Sequence, residues 1–407
     1  MSRELPEGWT EAKLGELCRN DNDQVPVIPS TVYSLMGVRW YGNGTHLHAE
    51  MEGKKLATSS LNQVKAGQIT YNKMWVSKSA FAVVPKEHDG LYATSEYPTF
   101  TIKSRTIISE YARYYMKIDE FREKAVQLCR GTTSRARLSP KDFLKLSIAI
   151  PPLLEQHRIV EILSSVDEAI ASAKLFVEQA RKVKKSTVES LLSNGIGHTQ
   201  FKSTKIGSVP KSWKLKSIKD LCRLTNGNGF RPSDWTDRGL PIIRIQNLNG
   251  SRDFNYFSGN PKDKWIVEPG DLLFSWAGVR GVSFGPRLWD GPRGVLNQHI
   301  FKVHPHSEVN KFWLYFAMML VTARIEAKAH GFKASLLHVH KSEITEQMVA
   351  VPPQAEQEEI VRHLDAMFET ERLSMDYLIR LEAMRAALMP DLLTGRKRVF
   401  INKLAAE

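Results

Sequence analysis

"IPPLLEQHRIVEIL" runs from Ile150 to Leu163, and "VPPQAEQEEIVRHL" runs from Val351 to Leu364, 201 residues later. Each has a Pro-Pro pair, then a Glu-Gln pair, then apolar residues at helical spacing. Two prolines cannot continue a preceding strand or helix, so Pro151-Pro152 and Pro352-Pro353 mark clean helix starts. From Ile159 a stripe continues through Leu163, Val166, Ile170, Ala173, Val177, Ala180, Lys184, Thr187 and Leu191. In the second copy it runs through Ile360, Leu364, Met367, Glu371, Ser374, Leu378, Leu381, Arg385, Leu388 and Leu392. Spacings that alternate four and three are the seam of a coiled coil. Gly195 and Gly395 mark the ends. The pattern predicts two helices of about 40 residues, each about 60 Å long at 1.5 Å per residue. A narrow apolar stripe must be buried against a partner, and the matching partner is the other copy, packed antiparallel.

The repeat extends beyond the helices. "LPEGWTEAKLGELCR" (Leu5 to Arg19) returns as "VPKSWKLKSIKDLCR" (Val209 to Arg223). "VKAGQITYN" from Val64 answers "VEPGDLLFS" from Val267, and "LLSNG" from Leu191 answers "LLTGR" from Leu392. Ordered matches with a slowly drifting offset mean a duplicated unit with small insertions. Between repeat opening and Pro-Pro pair lie short β-like runs, turns and a few helices. The expected fold is therefore α+β, a mixed α/β tandem repeat with pseudo-two-fold symmetry. Two similar globes are joined by two long antiparallel coiled-coil helices, one globe at either end. The boundaries read as a first globe 1–150, a helical spacer 151–195, a linker 196–206, a second globe 207–351, a second spacer 352–395 and a tail 396–407.

At 42% hydrophobic and 25% charged residues, the composition is that of an ordinary globular protein. Its longest apolar run, Phe312 to Val321, is half the length of a membrane span and reads as a buried helix. No signal-peptide pattern opens the chain, and three cysteines (Cys18, Cys129, Cys222) suit a reducing compartment, so a cytoplasmic, membrane-free protein is expected. The net charge of +13 favours an anionic partner. Residues 1–150 carry a net +5 and 207–350 a net +8, whereas 151–206 and 351–407 cancel at +2 and −2. Two basic globes on a neutral spacer suit two separated patches of one stiff polyanion, which points to double-stranded DNA.

Arg suits guanine and Asn or Gln suits adenine in the major groove, so the candidates for DNA contact are basic and amide side chains near turns. In the first globe they are Arg39, Lys73, Lys78, Arg130, Thr132, Thr133, Arg135 and Arg137. In the second they are Asn228, Arg231, Arg244, Gln246, Asn247, Arg280, Lys333, His338 and His340. Different loops on similar scaffolds would read different sequences. Glu155, Gln156, Glu356 and Gln357 fall in the first helical turns, where they either cap their own helices or meet another subunit or globe.

Catalytic motifs do not hold together. "DEAI" at Asp167 lies inside the seam, and no phosphate-binding G-x-x-x-x-G-K-[ST] loop accompanies it. "EGK" at Glu52 lacks an evident partner acid. The pairs His46/His48, His304/His306 and His338/His340 each lack a nearby third ligand. Neither Pro-Pro pair has the Asn or Asp before it and aromatic after it that an amino-methyltransferase needs, and no glycine-rich cofactor loop follows an early strand. No metal or cofactor is expected in this chain. The competing readings are an enzyme with unrecognised motifs and a protein-binding scaffold with incidental charge.

With the twin Pro-Pro-x-x-Glu-Gln helices, the "LLSNG" and "LLTGR" ends and the "LPEGWTEAKLGEL" opening in view, the whole chain resembles the specificity (HsdS) subunits of type I restriction–modification enzymes. That resemblance implies a non-catalytic subunit whose globes are target recognition domains, each reading one half of a bipartite asymmetric DNA site. It implies helices that set the spacing and dock two modification (HsdM) subunits, with two restriction (HsdR) subunits in the full complex. It also places S-adenosylmethionine, ATP and Mg on those partners. The assembled complex would be an adenine-specific DNA methyltransferase and an ATP-dependent endonuclease. Gln354-Ala355, where the first copy has Leu153-Leu154, is a departure confined to the first helical turn.

Overall fold

The computed structural model describes residues 5–21, 23–131, 136–328 and 336–400. Its fold is mixed α and β, in two compact units. One comprises Met1–Lys174 with Asp376–Glu407, the other Leu175–Met375. The two long helices are Leu153–Asn194 and Gln354–Leu393, and each contributes part of its length to both units.

Each unit is built around the same four-stranded antiparallel sheet. In the first the order is Cys18–Asp21, Thr99–Ile102, Ile69–Tyr71, Phe81–Val83. In the second it is Cys222–Asn226, Ile300–Pro305, Leu272–Ser275, Gly285–Leu288. The central strands are short and buried on both faces, with Ile69, Thr70 and Tyr71 fully buried in one and Leu272, Leu273 and Phe274 in the other, while the edge strands at Cys18 and Cys222 expose Arg19 and Arg223. In the first unit the sheet carries stacked rings, with Tyr71 4.6 Å from Phe143 and Phe100 4.7 Å from Phe143. In the second, the apolar run at Phe312 lies within helix Lys311–Lys328, which buries Trp313, Leu314, Phe316, Met318 and Val321. Among the described residues no helix is long and apolar enough to cross a membrane.

The strand that leads into each Pro-Pro pair closes its globe. Ser147–Ile150 pairs antiparallel with Thr10–Lys13, and Met348–Val351 with Lys214–Ser217. The helix that follows is then driven into the globe's core. Ile159 and Leu163 join the first core, which also takes Met389, Leu392 and Leu393 from the end of the other long helix. Ile360, Val361 and Leu364 join the second core, with Val188 and Leu192. Within each unit the helices therefore run antiparallel.

The seam follows the expected register through Val177 and then changes character. Ala180, Lys184, Thr187 and Leu191 are only half-buried, and the deep positions move to Val188 and Leu192. Polar residues explain the change. In the second unit Glu371 takes Arg181 (Nε–Oε1 2.9 Å) and Lys184 together. In the first unit, ahead of the change, Arg385–Asp167 (2.7 Å) and Lys174–Glu382 (2.8 Å) flank the apolar seam. A half-exposed charged layer adds little stability but penalises slipped registers, where the charges would face apolar neighbours.

The three cysteines are unpaired. Burial pushes the Cys18 thiol up to about 11 and the Cys222 thiol up to about 12, so both are fully protonated at pH 8. Because the thiolate is the nucleophile, iodoacetamide at pH 8 is expected to label neither in the native chain. Both label on unfolding in urea. Mass spectrometry showing alkylated Cys18 or Cys222 without denaturant would contradict this packing.

Candidate nucleic-acid interface

The Glu-Gln pairs anchor the helices to the globes. Glu155 is fully buried and accepts a hydrogen bond from Trp9 Nε1 (3.0 Å), and Glu356 accepts one from Trp213 Nε1 (2.9 Å). Gln156 accepts from the Ile108 amide and donates to the Pro151 carbonyl, while Gln357 accepts from the Asn310 amide and donates to the Pro352 carbonyl. A second grip comes from just past the end of the other helix. Arg398 forks onto Glu155 (2.7 and 3.1 Å), and His198 Nε2 lies 2.8 Å from Glu356 Oε1. Helix-ending Gly195 (φ +66°) and Gly395 (φ +71°) make the turn possible. A Cβ on Gly195 would strike Glu356 and Trp213, and one on Gly395 would strike Pro6. The two glutamates thus bond only to residues distant in the chain, and the two glutamines bond both to the globe and to the local Pro-Pro carbonyls. Glu155, Gln156 and Gln357 are buried and offer no surface to another subunit, which corrects that expectation.

The basic candidates gather at the ends of the central strands. In the second unit the chain leaves strand Leu272–Ser275 at Trp276. The Trp276 amide donates to the His299 carbonyl (3.2 Å), and its own carbonyl accepts from the Val339 amide (3.1 Å). The indole then lies 5.0 Å from the His299 ring and 4.8 Å from the His338 ring. Beside this aromatic group a cavity of about 150 Å³ is lined by Arg244, Gln246, Asn297 and His299. Arg244 stacks over Trp235 at 4.3 Å and donates Nη1 to Asn255, while its Nη2 is buried with no partner. Burial lowers the Arg244 pKa from its ordinary value. Cations, amides and aromatic faces around one recess are what base edges require.

In the first unit the same backbone path carries other side chains. The Lys73 amide donates to the Glu96 carbonyl (3.1 Å), and the Leu138 amide donates to the Lys73 carbonyl (3.1 Å). Arg137 Nη1 donates to Glu96 Oε1 at 2.8 Å, and its Nη2 lies 3.5 Å from Met74 Sδ. Arg130 pairs by backbone with Arg137 and reaches Asp142 at 3.4 Å. Trp75 packs 5.0 Å from Trp40, and Tyr41, exposed and at φ +58°, ties its amide to the Lys78 carbonyl. Arg39 lines a wider recess of about 1050 Å³ with His46, Lys86, His88, Arg113 and Lys117. Burial lowers the Lys117 pKa to about 8.

Lys73, Arg130 and Arg137 are thus brought together, with Lys78 at the neighbouring aromatic loop. Arg244, Gln246 and His338 meet around His299, and Asn228 joins them by a backbone bridge to Asn297. Arg231, Arg280 and His340 are exposed in surrounding turns. Asn247 is a correction: it is buried and its amide is consumed by the Arg244 amide and by the Ser251 and Asp253 carbonyls, so it shapes the turn. Thr132, Thr133, Arg135 and Lys333 lie outside the described residues. Sequence reasoning missed Glu96, Trp276, Asn297 and His299. Aligning the two copies one residue past each central strand would have found Trp276. Among the described residues no group of three or more His, Cys, Asp or Glu side chains could hold a metal ion.

A family model described as "Type I restriction modification DNA specificity domain" matches the chain twice, over residues 6–176 and 210–383. The chain belongs to this specificity family. Among its relatives, the type I restriction enzyme MjaVIII specificity subunit of Methanocaldococcus jannaschii is 22% identical over 97% of this chain and 94% of its own length. The EcoBI specificity subunit of Escherichia coli is 26% identical over 46% of this chain and 40% of its own. The fold matches that of the HsdS subunit from Thermoanaerobacter tengcongensis with a TM-score of 0.55, at 18% identity, over 97% of this chain and 99% of that one. A chain from a study of complex assembly and conformational transition in a type I R-M system aligns with a TM-score of 0.64, at 18% identity, over 97% of this chain and all of the other. Family membership fits the duplicated architecture, because the specificity domain occurs twice in this one chain.

Proposed function

We propose that this chain is the DNA specificity subunit of a type I restriction–modification complex, each globe reading one half of a split, asymmetric duplex site. In this reading it supplies recognition, and two modification subunits supply adenine methylation with S-adenosylmethionine. Two restriction subunits supply ATP- and Mg-dependent cleavage. The observation that carries the reading is a single backbone framework built twice, with different cationic, amide and aromatic side chains at corresponding places. Identical heads would read a palindrome, whereas unlike heads on one chain read an asymmetric pair of sequences.

The long helices support the docking role. On the first unit Tyr377, Ile379 and Met384 are exposed along the helix, and on the second Leu175, Phe176, Val183 and Leu373 are. Apolar side chains on a helix that already has its partner suit further helices packed alongside. The double variant Phe176→Asp, Tyr377→Asp is expected to keep its melting temperature and lose at least tenfold in affinity for the modification subunits. Unchanged co-purification would argue against a docking role for these side chains.

The test of the reading as a whole is to map methylated adenines in cells carrying the chain with its modification subunits. A bipartite sequence with a fixed gap is expected. Methylation without sequence preference, or turnover by the isolated chain, would overturn the proposal. Duplex binding by the complex should also fall steeply with salt, as counterion release requires.

A further inference from the structure

The two central sheets correspond strand for strand in order and register. Thr99 sits opposite Asp21 and Ile102 opposite Cys18, as Lys302 sits opposite Thr225 and Pro305 opposite Cys222. The flanking hydrogen bonds repeat as well: Lys73 to Glu96 and Leu138 to Lys73 in one unit, Trp276 to His299 and Val339 to Trp276 in the other. Three positions are therefore equivalent by backbone path. Lys73 corresponds to Trp276, Glu96 to His299, and Arg137 to His338. The scaffold is kept and all three side chains differ in chemistry.

The middle position carries a second signal. Among the described residues, Glu96 Oε2 and His299 Nδ1 are both buried without a hydrogen-bond partner. An orphaned polar atom is costly and calls for a partner that is absent from the free chain. Two such atoms at one position of a duplicated framework point to the same kind of ligand in both halves. Glu96 keeps 34% of its side chain exposed, so a turn of its carboxylate presents Oε2 to the outside. A carboxylate facing a polyanion is unfavourable unless it accepts from a base amino group, which phosphate and sugar do not offer.

We infer that these matched positions are base-contacting specificity determinants, with Glu96 and Arg137 setting part of the first half-site and His299 and His338, around Trp276, setting part of the second. This rests on the specificity-subunit reading above. The Glu96–Arg137 pair selects a G·C pair: the guanidinium fork donates to guanine O6 and N7, and the carboxylate accepts from cytosine N4. The second set has no fixed anion and presents imidazole edges and an indole face beside the orphan Nη2 of Arg244. It takes a different base pair.

The test is selection of bound duplexes from a random library by the complex of this chain with its modification subunits. Wild type is compared with Glu96→Gln, Arg137→Ala and His299→Ala. Glu96→Gln and Arg137→Ala should relax one G·C position of the first half by about 5- to 150-fold, the value of one good bidentate contact, and leave the second half unchanged. His299→Ala should alter the second half alone. An unchanged first-half consensus in both Glu96→Gln and Arg137→Ala would overturn the inference while the specificity function stands. A wild-type complex that selects no sequence would instead remove the function itself. Should Arg137→Ala not assemble, Arg137→Lys carries the test, because it keeps the charge and loses the fork.

Discussion

Glu155→Ala is expected to destabilise the first unit by about 2–3 kcal/mol, the cost of leaving a buried donor without its acceptor. The substitution strands Trp9 Nε1 in the core, whereas the Arg398 fork, about half exposed, turns to solvent. Trp9→Phe keeps the ring packing and loses one hydrogen bond, so it should cost only about 1 kcal/mol. Urea unfolding of both variants checks the contrast. Equal, small effects would mean that Glu155 is incidental and that apolar packing alone seats the helix.

The second large effect is functional. Exchanging residues 1–150 for the first globe of another family member should replace one half of the methylated sequence and leave the other half and the gap intact. The original site should then fall to the background of non-specific binding, a loss on the order of 10³-fold or more. Each unit has its own central sheet and its own core, which is why the exchange is structurally permitted. Site mapping that shows both halves altered would mean that the globes read DNA jointly.

Much of this was legible in the sequence because it is periodic. The seam repeats every seven residues and the whole unit repeats about every 200, and both periods survive large divergence in the loops. The helix starts were marked by prolines, whose effect is local. What was not legible depends on contacts across long stretches of chain. Glu155 reads as a first-turn acid, and only its 146-residue separation from Trp9 in a finished core reveals its other partner. Glu96 reads as an ordinary surface acid until Arg137, 41 residues on, closes against it. His299 carries no local signal, because its neighbours Trp276 and His338 arrive from two other segments. Asn247 was over-read, since an amide near a turn looks the same whether it faces a ligand or holds the turn together.

Arg398 also donates to the Glu7 carbonyl at 2.9 Å, so the first and last described stretches of the chain are in direct contact. The same join is made covalently in the other unit, where the segment after Gly195 runs on through His198 to Trp213. Each unit is therefore closed by the same kind of join, made by side-chain contact in one and by continuous chain in the other. A rearranged gene that opens the chain near residue 200 and links the stretch after Arg398 to the stretch before Glu7 should still fold, with the break moved to the other join.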